Sequence, residues 1–206
     1  HDQLRDRGGA GRSVTMIAMY GIVVGLLVGL VRGGSLGNLA SLQLRLTSLV
    51  YAGLAVQLLI FPTPWWPEPP LEPLSGVLHL ASYALLIAFL VTNRSIKPFW
   101  GVAVGLLSNV VVIAANGGHM PADVDALNAS GQARIAGKLL ASSNGIHGNV
   151  VRMSDATHLN ILGDWIPVPS WLPLANSVSP GDVVLTLSAV WLVERLMHGV
   201  RRESAR

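Results

Sequence analysis

The 206-residue chain has no cysteine and little charge, 12% Asp, Glu, Lys and Arg, against roughly a quarter in soluble domains. Without thiols there are no disulfides, thiolate zinc sites, iron–sulfur clusters, covalently attached haem or cysteine nucleophile. The missing charge is replaced by apolar residues, 51% of the chain, gathered in long runs that exclude an ordinary soluble domain. Catalytic strings are also missing: there is no HExxH, no GxGxxG and no Walker loop. The one GxSxG string, Gly33–Gly37, follows an apolar run instead of a strand and reads as a turn. The balance therefore leans away from an enzyme. The net charge of +3 does not point to nucleic acid, because many basic residues flank apolar runs, where membrane topology explains them.

What is present is a set of apolar runs over residues 14–31, 46–61, 74–91, 99–115 and 183–200. Each is within or near the roughly 17–25 residues of a spanning helix. None alternates strictly, so helices are favoured over barrel strands. The expected fold is an all-α integral membrane protein of five transmembrane helices. A long external loop, residues 117–181, separates the fourth from the fifth.

Arg32, Arg45, Arg94 and Lys97 mark two loops as cytoplasmic, and Arg201, Arg202 and Arg206 mark the C-terminus likewise. The acidic loop Pro62–Pro73, with Trp65 and Trp66 suited to the headgroup belt, falls outside. Arg5, Arg7 and Arg12 conflict with an external N-terminus. Residues 1–15 are therefore read as a disordered extension or non-native start before Met16, and residues 16–206 as one membrane domain.

Polar residues inside spans are costly and mark candidate sites. Gln57, His79, Asn109 and Asn116 are expected to form a polar pocket opening outward beneath the long loop, with His119 and Asp164 as further pocket candidates. Interhelical hydrogen bonding is the competing explanation. Gly21, Gly25 and Gly29, and Gly101 and Gly105, recur every four residues, a small-residue pattern that lets helices approach closely. The external His119, His147 and His158 lack metal-ligand spacing, so no metal site is expected. In the loop, short helices are expected at Asp123–Leu127 and Gln132–Ser142. The proline-broken Leu159–Leu174 should lie along the surface or fold over the helices. Ser179 through Asp182 reads as a helix start, its carboxylate suited to the helix N-terminus.

Four strings mark a resemblance. They are Arg32-Gly33-Gly34 with Asn38-Leu39, the run Asn116-Gly117-Gly118-His119-Met120-Pro121, the run Leu162-Gly163-Asp164-Trp165-Ile166-Pro167, and Ser179-Pro180-Gly181-Asp182. In this order they resemble a family of small bacterial multi-spanning proteins of unknown function, over about residues 16–200. The resemblance implies a bacterial cytoplasmic membrane and the multi-span architecture, and it implies no activity. Position 119 is frequently basic in that family, which weakens His119 as a metal ligand.

Two functions follow as expectations. The first is a non-catalytic membrane subunit or assembly factor, docking other membrane subunits through its glycine faces and outer loop. The second is a binder or transporter of a small molecule, pigment or lipid, using the pocket under the loop. Membrane lipids are partners in either case, lipid is the candidate cofactor, and His79 is the candidate pigment ligand.

Overall fold

The computed structural model describes residues 13–40, 43–61, 71–173 and 175–199. The expected extension up to residue 12, the Trp65–Trp66 pair and the C-terminal arginines lie outside the described residues. Helices dominate, and they run α1 (Ser13–Val31), α2 (Leu36–Ala40), α3 (Ser48–Ile60), α4 (Ser75–Thr92) and α5 (Pro98–Ala115). After them come α6 (Val124–Ala129), α7 (Ala133–Ala141) and α8 (Pro180–Met197).

Two of these, α4 and α5, are long and apolar enough to cross a membrane. Eighteen residues each make them about 27 Å long at 1.5 Å per residue, close to a hydrocarbon core. The apolar stretch Met19–Val31 of α1 and the whole of α3 are shorter. The α3 helix stops at Phe61, whose backbone is extended because the following proline disfavours helical geometry there. The last helix, α8, carries Asp182, Glu194 and Arg195.

The segment expected as a long loop with two short helices, a cap in outline, is a folded cap that also contains strands, and these correct the all-α reading. Besides α6 and α7 it contains β1 (Met120–Ala122), β2 (Ile146–His147), β3 (Val150–Arg152), β4 (Ile166–Pro167) and β5 (Ser177–Val178). In the larger sheet β3 lies between parallel β1 and antiparallel β2; β4 and β5 form a separate antiparallel pair. Strands of two or three residues, two of them containing proline, leave no period-2 signal to read. The α6 and α7 helices lie where the sequence indicates, and Asp123 caps α6 by accepting from the Ala126 N–H. The segment after Leu159 folds back as β4.

Contacts along the helices fix their directions. The glycines of α1 meet α8 in step, Gly21 at Thr186 and Ala189, Gly25 at Val190 and Val193, Gly29 at Met197. The two helices are therefore parallel. On the other side of α8, Gly101 meets Ser188 and Gly105 meets Gly181 and Leu185, so α5 is antiparallel to it. Between α3 and α4, Gly53 meets Ser82 and Leu86 while Phe61 reaches His79, again antiparallel. Hence α1, α4 and α8 run away from the cap, and α3 and α5 run towards it.

Both glycine rows close on α8 within this chain. A Cβ at Gly21, Gly25, Gly29, Gly101 or Gly105 meets α8 atoms at 3.0 Å or less. The core continues from Tyr83, Phe89, Phe99 and Ile113 of the bundle into Met120, Leu127, Leu139 and Val150 of the cap. At the far end, Arg32 pairs with Glu194 at 3.0 Å. There Asn93 clasps the Arg45 backbone in both directions, at 2.9 and 2.8 Å.

Candidate functional site

The polar candidates gather where the bundle meets the cap, in three hydrogen-bonded groups. The first belongs to α3 and α4. Near the start of α4, Gly76 lies against Gly117 and Gly118 with no room for a side chain, which brings the loop over His79. The His79 Nδ1 is 2.8 Å from the Gly118 carbonyl; a carbonyl only accepts, so Nδ1 carries the hydrogen. Phe61 meets the ring edge-on at 4.7 Å and Tyr83 lies at 5.1 Å. Buried at 3% exposure, the imidazole is enclosed by protein, which leaves little room for the expected pigment. The Ser82 hydroxyl donates to the His79 carbonyl and accepts from Gln57 Nε2 at 3.1 Å.

The second group joins α5 to α8. Ser179 and Asp182 form a reciprocal capping box: the Ser179 hydroxyl accepts from the Asp182 N–H and the Asp182 carboxylate from the Ser179 N–H. The box satisfies donors that a helix start leaves orphaned. Asn109, wholly buried, extends it by donating through Nδ2 to Asp182 Oδ1 at 2.7 Å and accepting from the Ser179 hydroxyl at 3.0 Å. Only glycine fits at 181, because a Cβ there would overlap Asn109 Oδ1 at 2.0 Å.

Asn116 makes the third group at the end of α5. Its Nδ2 donates to the His158 carbonyl and its Oδ1 accepts from the His158 N–H, both at 2.8 Å. One side chain thus ties the bundle to the cap in both directions. Beside it, burial lowers the pKa of half-buried His119 below the usual histidine value.

Gln57, His79, Asn109 and Asn116 therefore occupy one junction, engaged in hydrogen bonds and not lining one open pocket. Asp164, 4% exposed, lies inside the cap, where its backbone N–H donates to Pro121 and its carbonyl accepts from Asp123. Burial, and next the charge of Asp182, push its carboxyl well above the usual carboxylate range. An ionised Asp164 therefore requires a positive neighbour. Tyr83 lies in the field of both carboxylates. The partnerships of Tyr83, Ser82 and Ser179 were not legible in the sequence. Ser179-Pro180-Gly181-Asp182 signals its own helix start, but nothing in it indicates that Asn109, 73 residues earlier, completes the box.

The open space lies elsewhere. A groove of about 450 Å³ runs from Ala115 and Asn116 at the end of α5 across Asn144, Arg152, Thr157 and His158 of the cap. Its volume suits a small molecule. Arg152 is a permanent cation on its wall, and no carboxylate is among its lining residues. Among the described residues no three His, Asp or Glu side chains converge as a metal-binding group.

Fold and junction together define a mostly helical protein with two helices fit to cross a membrane and a folded cap packed on one end of the bundle. The chain belongs to the family of unknown function DUF5317, whose sequence model matches residues 41–194. That span contains the Asn116–Pro121, Leu162–Pro167 and Ser179–Asp182 strings and excludes Arg32–Leu39. No curated protein and no solved structure matches the chain.

Proposed function

We propose that the protein is a five-span protein of the bacterial cytoplasmic membrane whose outward cap binds a small polar molecule bearing an anionic group. The groove between the end of α5 and the cap carries this reading, since it pairs an arginine with hydroxyl and amide groups and presents no carboxylate. Arginine offers a planar fork of donors matched to phosphate or carboxylate oxygens. The groove begins where α5 ends, so a lipid headgroup or a free anion arriving from outside reaches it equally.

Five spans are supported by the alternating helix directions and by the apolar surface. Val23 and Leu27 on α1, Leu54 and Leu58 on α3, Val104 and Val111 on α5, and Leu187 and Trp191 on α8 are all at least 44% exposed. Continuous apolar flanks of this kind suit lipid, not water. Arg94 and Lys97 lie at the end away from the cap, as the positive-inside rule favours for an outward cap. A docking-subunit role is less well supported, because the glycine rows, one of its two proposed docking features, are covered by α8.

The chain's lack of cysteine makes topology directly measurable. With single cysteines replacing Ser95 or Ser143, a membrane-impermeant maleimide should label only the Ser143→Cys protein in intact cells. Labelling of both from one side removes the five-span arrangement.

The groove is tested with two probes, short-chain phosphatidylglycerol and inorganic phosphate, titrated against protein in mild detergent. Arg152→Ala should weaken the bound probe about tenfold, the lower end of what a charge-assisted hydrogen bond contributes. Binding of the lipid alone identifies a headgroup, and binding of both a free anion. Equal affinity of Arg152→Ala and the parent, or no binding of either probe, ends the anion reading.

A further inference from the structure

Three buried side-chain oxygens have no hydrogen-bond partner among the described residues: Asn149 Oδ1, Asp164 Oδ1 and Ser177 Oγ. All three residues line one cavity of about 10 Å³, walled otherwise by Leu127, Ile135, Val150 and Asn176. Asp164 and Ser177 are 4% and 1% exposed. Leaving a buried polar atom unsatisfied is costly, and an ionised one more so. A single orphan has many local explanations, whereas three on residues that line one small cavity suit a common occupant.

The chemistry of the lining restricts that occupant. Its polar side chains offer oxygen and amide groups, with no sulfur, no imidazole and no basic side chain to balance Asp164. Oxygen-only donors select hard cations. The one carboxylate balances one positive charge, since Asp182 is already engaged by Asn109 and Ser179. The volume, at the lower bound for one water, excludes a hydrated ion. A water donating to two of the oxygens and accepting from the third fits the same count with the Asp164 carboxyl protonated, as its burial favours. A cation instead displaces that proton and pairs with the carboxylate.

We propose that this cavity is a site for one dehydrated monovalent cation of sodium size, held by the side-chain oxygens of Asn149, Asp164 and Ser177. The three ligands come from separate parts of the cap. Asn149 immediately precedes β3, Asp164 bridges to Ala122 of β1, and Ser177 lies in β5. The ion therefore cross-links both sheets and stabilises the cap. It is independent of the anion groove, whose lining shares none of these ligands.

The test is thermal unfolding of the full chain in detergent at fixed pH and ionic strength, in sodium, lithium, potassium, calcium or choline chloride. Sodium should raise the midpoint saturably over choline, with potassium weaker. At ten times the dissociation constant the folded-to-unfolded ratio rises about elevenfold. The near-isosteric Asp164→Asn should abolish the sodium increment, and Ser177→Ala should shift it to higher sodium. Should both variants fail to fold, the parent's cation series decides by itself. Identical midpoints in all five salts, which a cavity holding only water gives, overturn the proposal. A response to calcium alone overturns the monovalent assignment.

Discussion

Replacing Gly118 with alanine is expected to detach the cap from the bundle, destabilising the protein by about 3–5 kcal/mol. Two effects add. The φ of Gly118 is +93°, a conformation that L-residues adopt only at a cost of about 1–2 kcal/mol. A Cβ there would also sit 2.2 Å from Gly76 Cα and 2.4 Å from its carbonyl oxygen. Those are backbone atoms of α4, so no side chain can rotate away. Relief requires moving the loop off α4, which also takes the Gly118 carbonyl from His79.

The neighbouring glycine supplies the control. Gly117 also has positive φ, +66°, but a Cβ there meets nothing within 4 Å. Gly117→Ala should cost about 1–2 kcal/mol, the backbone contribution alone. Denaturant unfolding of both variants in the same detergent measures the difference, assigned to the close approach of loop and helix. Equal losses at the two positions mean that Gly76 and Gly118 are not in contact.

The long helices were legible because their signal is local. Expected spans of 74–91 and 99–115 correspond to helices at Ser75–Thr92 and Pro98–Ala115. The last helix starts three residues before the expected 183 because Pro180 occupies its first turn and the Ser179–Asp182 box closes it. Glycine spacing pointed to close packing, yet could not name the partner. That partner is α8, the long helix that combines Gly181, Ser188 and Ala189 with charged residues and so looks least like a packing centre.

The cap was legible only in its helices. The strand residues Pro121 and Pro167 read locally as breakers, and their partners, Val151 and Ser177, are fixed by tertiary packing. The candidate polar residues were found by their cost in apolar surroundings. Their pairing was hidden because it depends on helix order: Gln57 meets Ser82, and Asn109 meets Asp182. Asn149 and Ser177, ordinary polar residues in an irregular segment, carried no local signal at all.

Asn109→Leu should be almost as damaging as Gly118→Ala, at about 3 kcal/mol, although leucine and asparagine are similar in size. For an asparagine that merely bonds a neighbouring helix, about 1 kcal/mol is expected. Here its Nδ2 donates to a buried carboxylate and its Oδ1 accepts the only hydrogen of the Ser179 hydroxyl. Leucine therefore removes one of the two partners of the Asp182 carboxylate and the acceptor of the Ser179 hydroxyl together, and a bond lost to a buried charged group costs about twice a neutral one. The charge contribution can be isolated by repeating Asn109→Leu in an Asp182→Asn background, where the acceptor stays polar but uncharged. If the Asp182 charge is responsible, the same substitution costs about 1 kcal/mol there, and the cycle gives a coupling of about 2 kcal/mol. Equal costs in the two backgrounds assign the loss to packing against Gly181, where Asn109 Oδ1 fills the space that a Cβ would take. Either way the measurement reads the contact that holds α5 against the start of α8, and so the end of the bundle on which the cap rests.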